Sequence, residues 1–221
     1  MRNYRKLEGL YLVVAPILPV DRLLLATGKA LRGGVDLLQL IVGDETSKMR
    51  AFAKSLSNLT KKHKTPFLIN GSISLAKEID ADGLHFDNYD TSPTEAKLAL
   101  GRECIVGYTL SNELERLKWA EEAGADYVSF CSVFPTCYPT QCQTVSVETV
   151  KTARSRTALP IFASGGINPD NAHLVLEAGV DGIAVTSALL KAKDPEQTAR
   201  LLNEIIHNYR RDIHRNKPHQ P

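Results

Sequence analysis

The chain has 221 residues, 43% of them apolar and 24% charged, with 27 Lys+Arg against 25 Asp+Glu. Those fractions exclude a disordered, collagen-like or disulfide-framework chain, and the net charge of +2 argues against nucleic acid as the main partner. The apolar runs stop far short of the roughly 18 residues of a membrane span. The basic N-terminus, interrupted by Glu8, Pro16 and Pro19, reads as the approach to a strand rather than a secretory leader. Four cysteines without a leader point to reduced thiols in a cytoplasmic protein.

In chain order, short apolar runs alternate with longer stretches of helical spacing. Strands are expected at 10–14, 36–42, 66–70, 82–86, 104–108, 126–130, 160–164 and 181–185. Their lack of polar alternation fits strands covered on both faces of a parallel sheet. Helices are expected at 22–34, 48–62, 92–101, 112–124, 147–156, 168–179 and 195–212. A local signature recurs every two strand–helix units: Gly34-Val35-Asp36, Asp80-Ala81-Asp82, Gly124-Ala125-Asp126 and Gly179-Val180-Asp181. In each, a small residue and an aspartate lead from a helix end into a strand, and glycine suits the left-handed close of the helix. Eight strands on such a chain predict a single (β/α)₈ TIM barrel over residues 1–210. The competing arrangement, an open doubly wound sheet, lacks its GxGxxG signature here. The end of the chain, 211–221, is basic and poor in apolar residues and reads as a disordered tail.

Active sites of such barrels lie where the strands end. After strand seven comes Ser164-Gly165-Gly166-Ile167-Asn168-Pro169-Asp170, and strand eight ends in Thr186-Ser187. Glycines that let the backbone approach closely, beside hydroxyls and amides, predict a phosphate site at Gly165, Gly166, Thr186 and Ser187, the alternative being a tight turn with a capped helix and no ligand. Asn70 ends strand three, where it is either a ligand contact or half of an ordinary Asn-Gly turn with Gly71. Asp87 and Asp90 follow strand four; they are either solvated loop acids or carboxylates for a hard cation such as Mg²⁺. His85 is an acid–base candidate or a buried structural histidine. The longest loop, 131–144, holds Cys131, Cys137 and Cys142 at spacings that match no zinc pattern, and no basic residue to activate a thiol.

Together these segments resemble the thiamin phosphate synthase/TenI family, through GLYLVV, ALRGGVDLLQL, PFLINGSISLAKEIDADGLHF, VGYTLSNELERLKWAEEAGADYVSF, SVFPT, PIFASGGINPDNAHLVLEAGVDGIAV and TSALLKAKDPEQTARLL. The resemblance implies a (β/α)₈ barrel that binds a small phosphorylated heterocycle in thiamine metabolism. The synthase branch joins a hydroxymethylpyrimidine diphosphate to a thiazole phosphate with Mg²⁺ and releases pyrophosphate; the TenI branch binds the thiazole phosphate and moves protons on it. By position, the resemblance places Gly166, Thr186 and Ser187 on the thiazole phosphate, and Pro135 and Thr136 on the thiazole. It places Gln39 and Asn70 on the pyrimidine and diphosphate side, Thr109 at a hydroxyl position and Asp90 at a Mg²⁺ ligand.

The departures from the family are chemical. The synthase pattern Gln-x-Arg-x-Lys reads Gln39-Leu40-Ile41-Val42-Gly43 here, Asn-Asp reads Asn70-Gly71, and the lysine of the strand-six loop is replaced by Pro139 or Thr140. The histidine expected of a TenI tautomerase falls on Ser132. The expected protein is therefore a phosphorylated-heterocycle-binding relative lacking the cations that hold a diphosphate, with Ser132, His85 or a cysteine in a repurposed catalytic role. The alternatives are a true synthase with replacement cations, or a ligand-binding or regulatory relative without turnover. The resemblance also implies a homodimer.

Overall fold

The computed structural model describes residues 7–136 and 143–216, with side chains described as far as Asp212. Eight parallel strands follow one another: β1 (Gly9–Val14), β2 (Leu37–Leu40), β3 (Phe67–Asn70), β4 (Gly83–Phe86), β5 (Ile105–Leu110), β6 (Tyr127–Cys131), β7 (Ile161–Ser164) and β8 (Gly182–Val185). Each pairs with the next, and β8 pairs with β1, Leu10 opposite Ile183. That closing pair excludes the open doubly wound sheet and confirms the TIM barrel. The helices are α1 (Val20–Arg32), α2 (Ser47–His63), α3 (Ile73–Glu78), α4 (Pro93–Leu100), α5 (Glu115–Glu122), α6 (Val147–Arg154), α7 (Ala172–Glu177), α8 (Ser187–Leu190) and α9 (Pro195–Asn216). Periodicity left α3 and α8 unmarked, because four to six residues span barely more than one turn. The expected tail from residue 211 begins inside α9, and residues 217–221 lie outside the described residues.

The recurring aspartates prove to be latches on the barrel floor. The Asp36, Asp82, Asp126 and Asp181 carboxylates accept from the backbone N–H of Leu10 (2.9 Å), Phe67 (2.9 Å), Val106 (2.8 Å) and Ile161 (3.0 Å). In return, each aspartate's own N–H donates to the carbonyl of that same residue. Every even strand is thus clamped to the odd strand before it. The sequence repeat follows from this stitch, which needs a short carboxylate just ahead of strands two, four, six and eight.

Strand parity divides the interior. Leu10, Leu12, Leu38, Leu40, Ile69, Leu84, Val106, Val128 and Ile183 belong to the main core cluster, together with apolar residues of the helices. The opposite parity fills the barrel, where Tyr11, Leu37, Leu68, Ile105, Tyr127, Phe162 and Ala184 form a separate cluster. Gly107 leaves room for Tyr127, since a Cβ there would meet the tyrosine ring at 2.1 Å. Two residues further along the inward parity, Leu37 gives way to Gln39, Leu68 to Asn70, Tyr127 to Ser129 and Phe162 to Ser164. The barrel is therefore apolar at its floor and polar toward its carboxyl mouth.

Candidate functional site at the carboxyl mouth

A chain of hydrogen bonds crosses the barrel interior from β2 to β3. The Tyr11 hydroxyl lies 2.5 Å from Gln39 Oε1 and 2.9 Å from the Tyr127 hydroxyl. Tyr127 meets His85 Nδ1 at 2.7 Å, and His85 Nε2 meets Thr109 Oγ1 at 2.8 Å. Thr109 donates to Asp87 Oδ1 (2.7 Å), and Asn70 Nδ2 donates to Asp87 Oδ2 (2.9 Å). Because the Thr109 proton goes to Asp87, His85 must carry its proton on Nε2 and accept from Tyr127 at Nδ1. Two tyrosines, a neutral imidazole and a threonine then supply four protons to the five contacts from Gln39 to Asp87. The count closes when the Gln39 amide is turned end for end, its NH₂ toward Tyr11; oxygen and nitrogen of an amide are alike in size, so the turn costs no space.

Charge follows burial along this chain. His85 is 3% exposed, and burial holds its pKa below the ordinary 6.5 against the pull of Asp87. Burial also raises the Tyr11 and Tyr127 hydroxyls. Withdrawal from water would raise Asp87, but the neighbouring imidazole and the bonds from Thr109 and Asn70 outweigh it and hold the carboxyl below 3.8. The inner part is neutral and the rim carries one carboxylate. Tyr11 and Tyr127 escaped the sequence reading; the only available signal was a tyrosine on the inward parity, visible once the registers are known.

The second half of the mouth lies after β7 and β8, whose register sets Ser164 beside Ala184. Gly165 and Gly166 take φ of +91° and +66°, left-handed values that turn the chain sharply and favour glycine. Asn171 braces the turn, donating to Gly166 O (3.0 Å) and accepting from the Asn168 N–H (2.9 Å). Thr186 precedes α8 without a side-chain cap bond, and Ser187 is exposed. The β6 loop closes against this turn: Val133 and Phe134 donate to Ser164 O and Gly165 O, at 2.8 and 3.0 Å. Pro135 O would lie 2.5 Å from a Cβ on Gly166. Gly165, Gly166 and Pro135 thus pack together beside the end of β8, which Thr186 and Ser187 follow, while Asn70 and Thr109 meet on Asp87 and Gln39 is linked to them through the buried chain.

The two catalytic candidates sit differently from a nucleophile or an open base. Ser132 is buried and donates to Phe134 O at 3.1 Å, a bond within its own loop. His85 lies beneath Thr109 rather than at the surface of the mouth. Cys137 and Cys142 lie outside the described residues; Cys131 ends β6, and Cys104 is buried with its thiol pushed up to about 11 by desolvation. Among the described residues no group of three or more His, Cys, Asp or Glu is arranged to hold a metal ion. Each Asp87 oxygen accepts one hydrogen bond, from Asn70 and from Thr109.

The positions after β2 are apolar in space as well as in sequence. Ile41 and Val42 are half-buried, and Val42 packs on the core. Of the two cations early in α2, Lys48 and Arg50, Arg50 is held by Glu45 (2.5 Å) and Glu78. Glu45 in turn accepts from Ser72 and Ser74, and the Ser72 bond leads in lowering its pKa.

A family profile described as thiamine monophosphate synthase matches residues 10–189. The chain belongs to the thiamine monophosphate synthase family. Among its curated relatives, the thiamine-phosphate synthase of Nitrosomonas eutropha is 36% identical over 202 residues, covering 91% of this chain and 95% of that protein. The thiamine-phosphate synthase of Nitrosospira multiformis is 37% identical, covering 86% and 82%. Among solved structures, a thiamine phosphate pyrophosphorylase from Pyrococcus furiosus superposes with a TM-score of 0.81 at 30% identity, covering 94% of this chain and 99% of that one. Membership of the thiamine monophosphate synthase family fits the barrel, and no described helix is long and apolar enough to cross a membrane.

Proposed function

We propose that the protein is a transferase of the kind its relatives are named for, joining a pyrimidine diphosphate to a thiazole phosphate with release of pyrophosphate. The observation that carries this reading is the intact corner after β7 and β8 in a chain 36% identical to a thiamine-phosphate synthase over 202 residues. In it, the Gly165–Gly166 turn and the Thr186 and Ser187 amides and hydroxyls hold the thiazole phosphate. Pro135 and Thr136 close over the ring, and Gln39, Asn70 and Thr109 face the pyrimidine. Magnesium would arrive on the diphosphate, with Asp90 the remaining carboxylate of its loop.

A second reading, binding of the thiazole phosphate without transfer, is favoured by the other corner. A leaving diphosphate needs preorganised positive charge, and each lost partner costs about 3 kcal/mol, about a hundredfold in rate. Here Ile41 and Gly43 stand at the cation positions, Arg50 is tied to two glutamates, and Asn70 and Thr109 both spend donors on Asp87. The test is a two-substrate assay with Mg²⁺ that reads pyrophosphate, run beside calorimetry with thiazole phosphate alone. Pyrophosphate above background establishes the transferase. Saturable binding without release establishes the second reading, and absence of both overturns the pair.

A further inference from the structure

Outside the mouth, a groove of about 450 Å³ runs between α1, the end of α8 and the start of α9. Its apolar lining is Leu18, Leu25, Ala26, Leu190 and Pro195, and Leu25 is 64% exposed. Four cations also line it: Arg22, Lys29, Lys191 and Lys193. None of the four forms an ion pair with a described carboxylate; the acids next to them in sequence are Asp21 and Asp194, with Glu196 in the first turn of α9. Asp194 caps α9 through the N–H groups of Glu196 and Gln197, and Glu196 holds Arg32 and Arg200. Lys29 and Lys191 lie at the carboxyl ends of α1 and α8, where the helix dipole favours a cation. The dipole does not account for the other two. Arg22 is in the first turn of α1, where a cation is disfavoured, and Lys193 lies between helices.

An apolar trough rimmed by four cations that form no described ion pair complements one kind of molecule. We propose that this groove binds a soluble amphiphilic anion, with a phosphate or carboxylate head among Arg22, Lys29, Lys191 and Lys193 and an apolar body against Leu25, Ala26 and Leu190. Arg22 and Lys29 stand seven residues apart on one helix, about 10 Å along its axis. The volume lies within the range of small-molecule sites. The inference stands apart from the reading of the mouth, since the two sites share only the short α8.

The experiment is calorimetric titration of the full chain with monomeric decyl phosphate, with inorganic phosphate and decanol as separate probes. Saturable binding of decyl phosphate at one site per chain is expected, weakening as salt rises, with neither control reproducing it. Arg22→Glu/Lys193→Glu, both on exposed side chains, should weaken it about tenfold, and Leu25→Asp should weaken it at unchanged salt dependence. The proposal is overturned by absence of saturable binding or by equal affinity in the Arg22→Glu/Lys193→Glu variant, which would move the ligand elsewhere. Binding to anionic vesicles without binding of monomeric decyl phosphate also overturns it, in favour of a membrane surface.

Discussion

At the scale of single residues, the mouth is governed by where protons sit. His85 is buried between Tyr127 and Thr109, and because Thr109 donates to Asp87 the imidazole is fixed as the Nε2–H form. Nitrogen-15 NMR at neutral pH should find that tautomer; a protonated ring or an Nδ1–H ring would contradict the chain of bonds. The folded pKa lies below 6.5, so on acidification the unfolded chain takes a proton that the folded chain refuses. The associated stability is present above about pH 6.5 and is lost as pH falls through the folded value. Melting temperatures measured over roughly pH 5.5 to 7.5 should therefore slope upward with pH, and the slope should flatten in His85→Gln. At the proposed phosphate corner, Gly166→Asp would repel an anion but would also force an L-residue to φ +66° and crowd Pro135. Ser187→Glu adds the same charge on an exposed side chain without that strain, and should weaken thiazole phosphate binding at least tenfold by calorimetry. Asp90→Ala should leave that binding unchanged.

Among the elements, the strands were legible because each is a short apolar run closed by turn chemistry, and their positions agree with the expected ones within a few residues. The aspartate signature was also legible, but not its purpose. Only the pairing registers show that each carboxylate reaches back to the preceding strand. Removing one leaves a strand-edge N–H unsatisfied, so Asp82→Ala should cost about 2 kcal/mol in denaturant unfolding at an unchanged m-value. Asp82→Asn, which keeps an acceptor, should cost less. The polar ends of the strands were hidden in the sequence because one strand covered by helices outside and side chains inside shows no simple alternation. Gln39, Asn70 and Ser129 separate from Leu38, Ile69 and Val128 only once the barrel gives each parity an inside and an outside.

Taken as a whole molecule, the barrel is closed by its last helix as well as by β8. Ala199, Leu202 and Ile206 of α9 are fully buried. Asn203 donates to Gly33 O and Gly34 O at 3.1 and 2.7 Å, and Arg210 reaches both Asp181 O and Glu8. The helix thereby covers the seam between the first and last strands. Burying a side chain the size of Leu202 or Ile206 contributes about 2 kcal/mol. Truncation after Lys193 should abolish the cooperative thermal transition, read by near-ultraviolet circular dichroism.

The sequence by itself determined the alternation of strand and helix, the barrel and the family, because those depend on local spacing and on the order of motifs along the chain. Tertiary structure alone decided that Asp87 takes the donors of Asn70 and Thr109, that Arg50 is held by glutamates, and that Tyr11, Tyr127 and His85 join the two sides of the mouth. Each of those facts is a meeting of side chains from different strands or loops, and no spacing along the chain records which residues closure of the barrel brings within hydrogen-bonding distance.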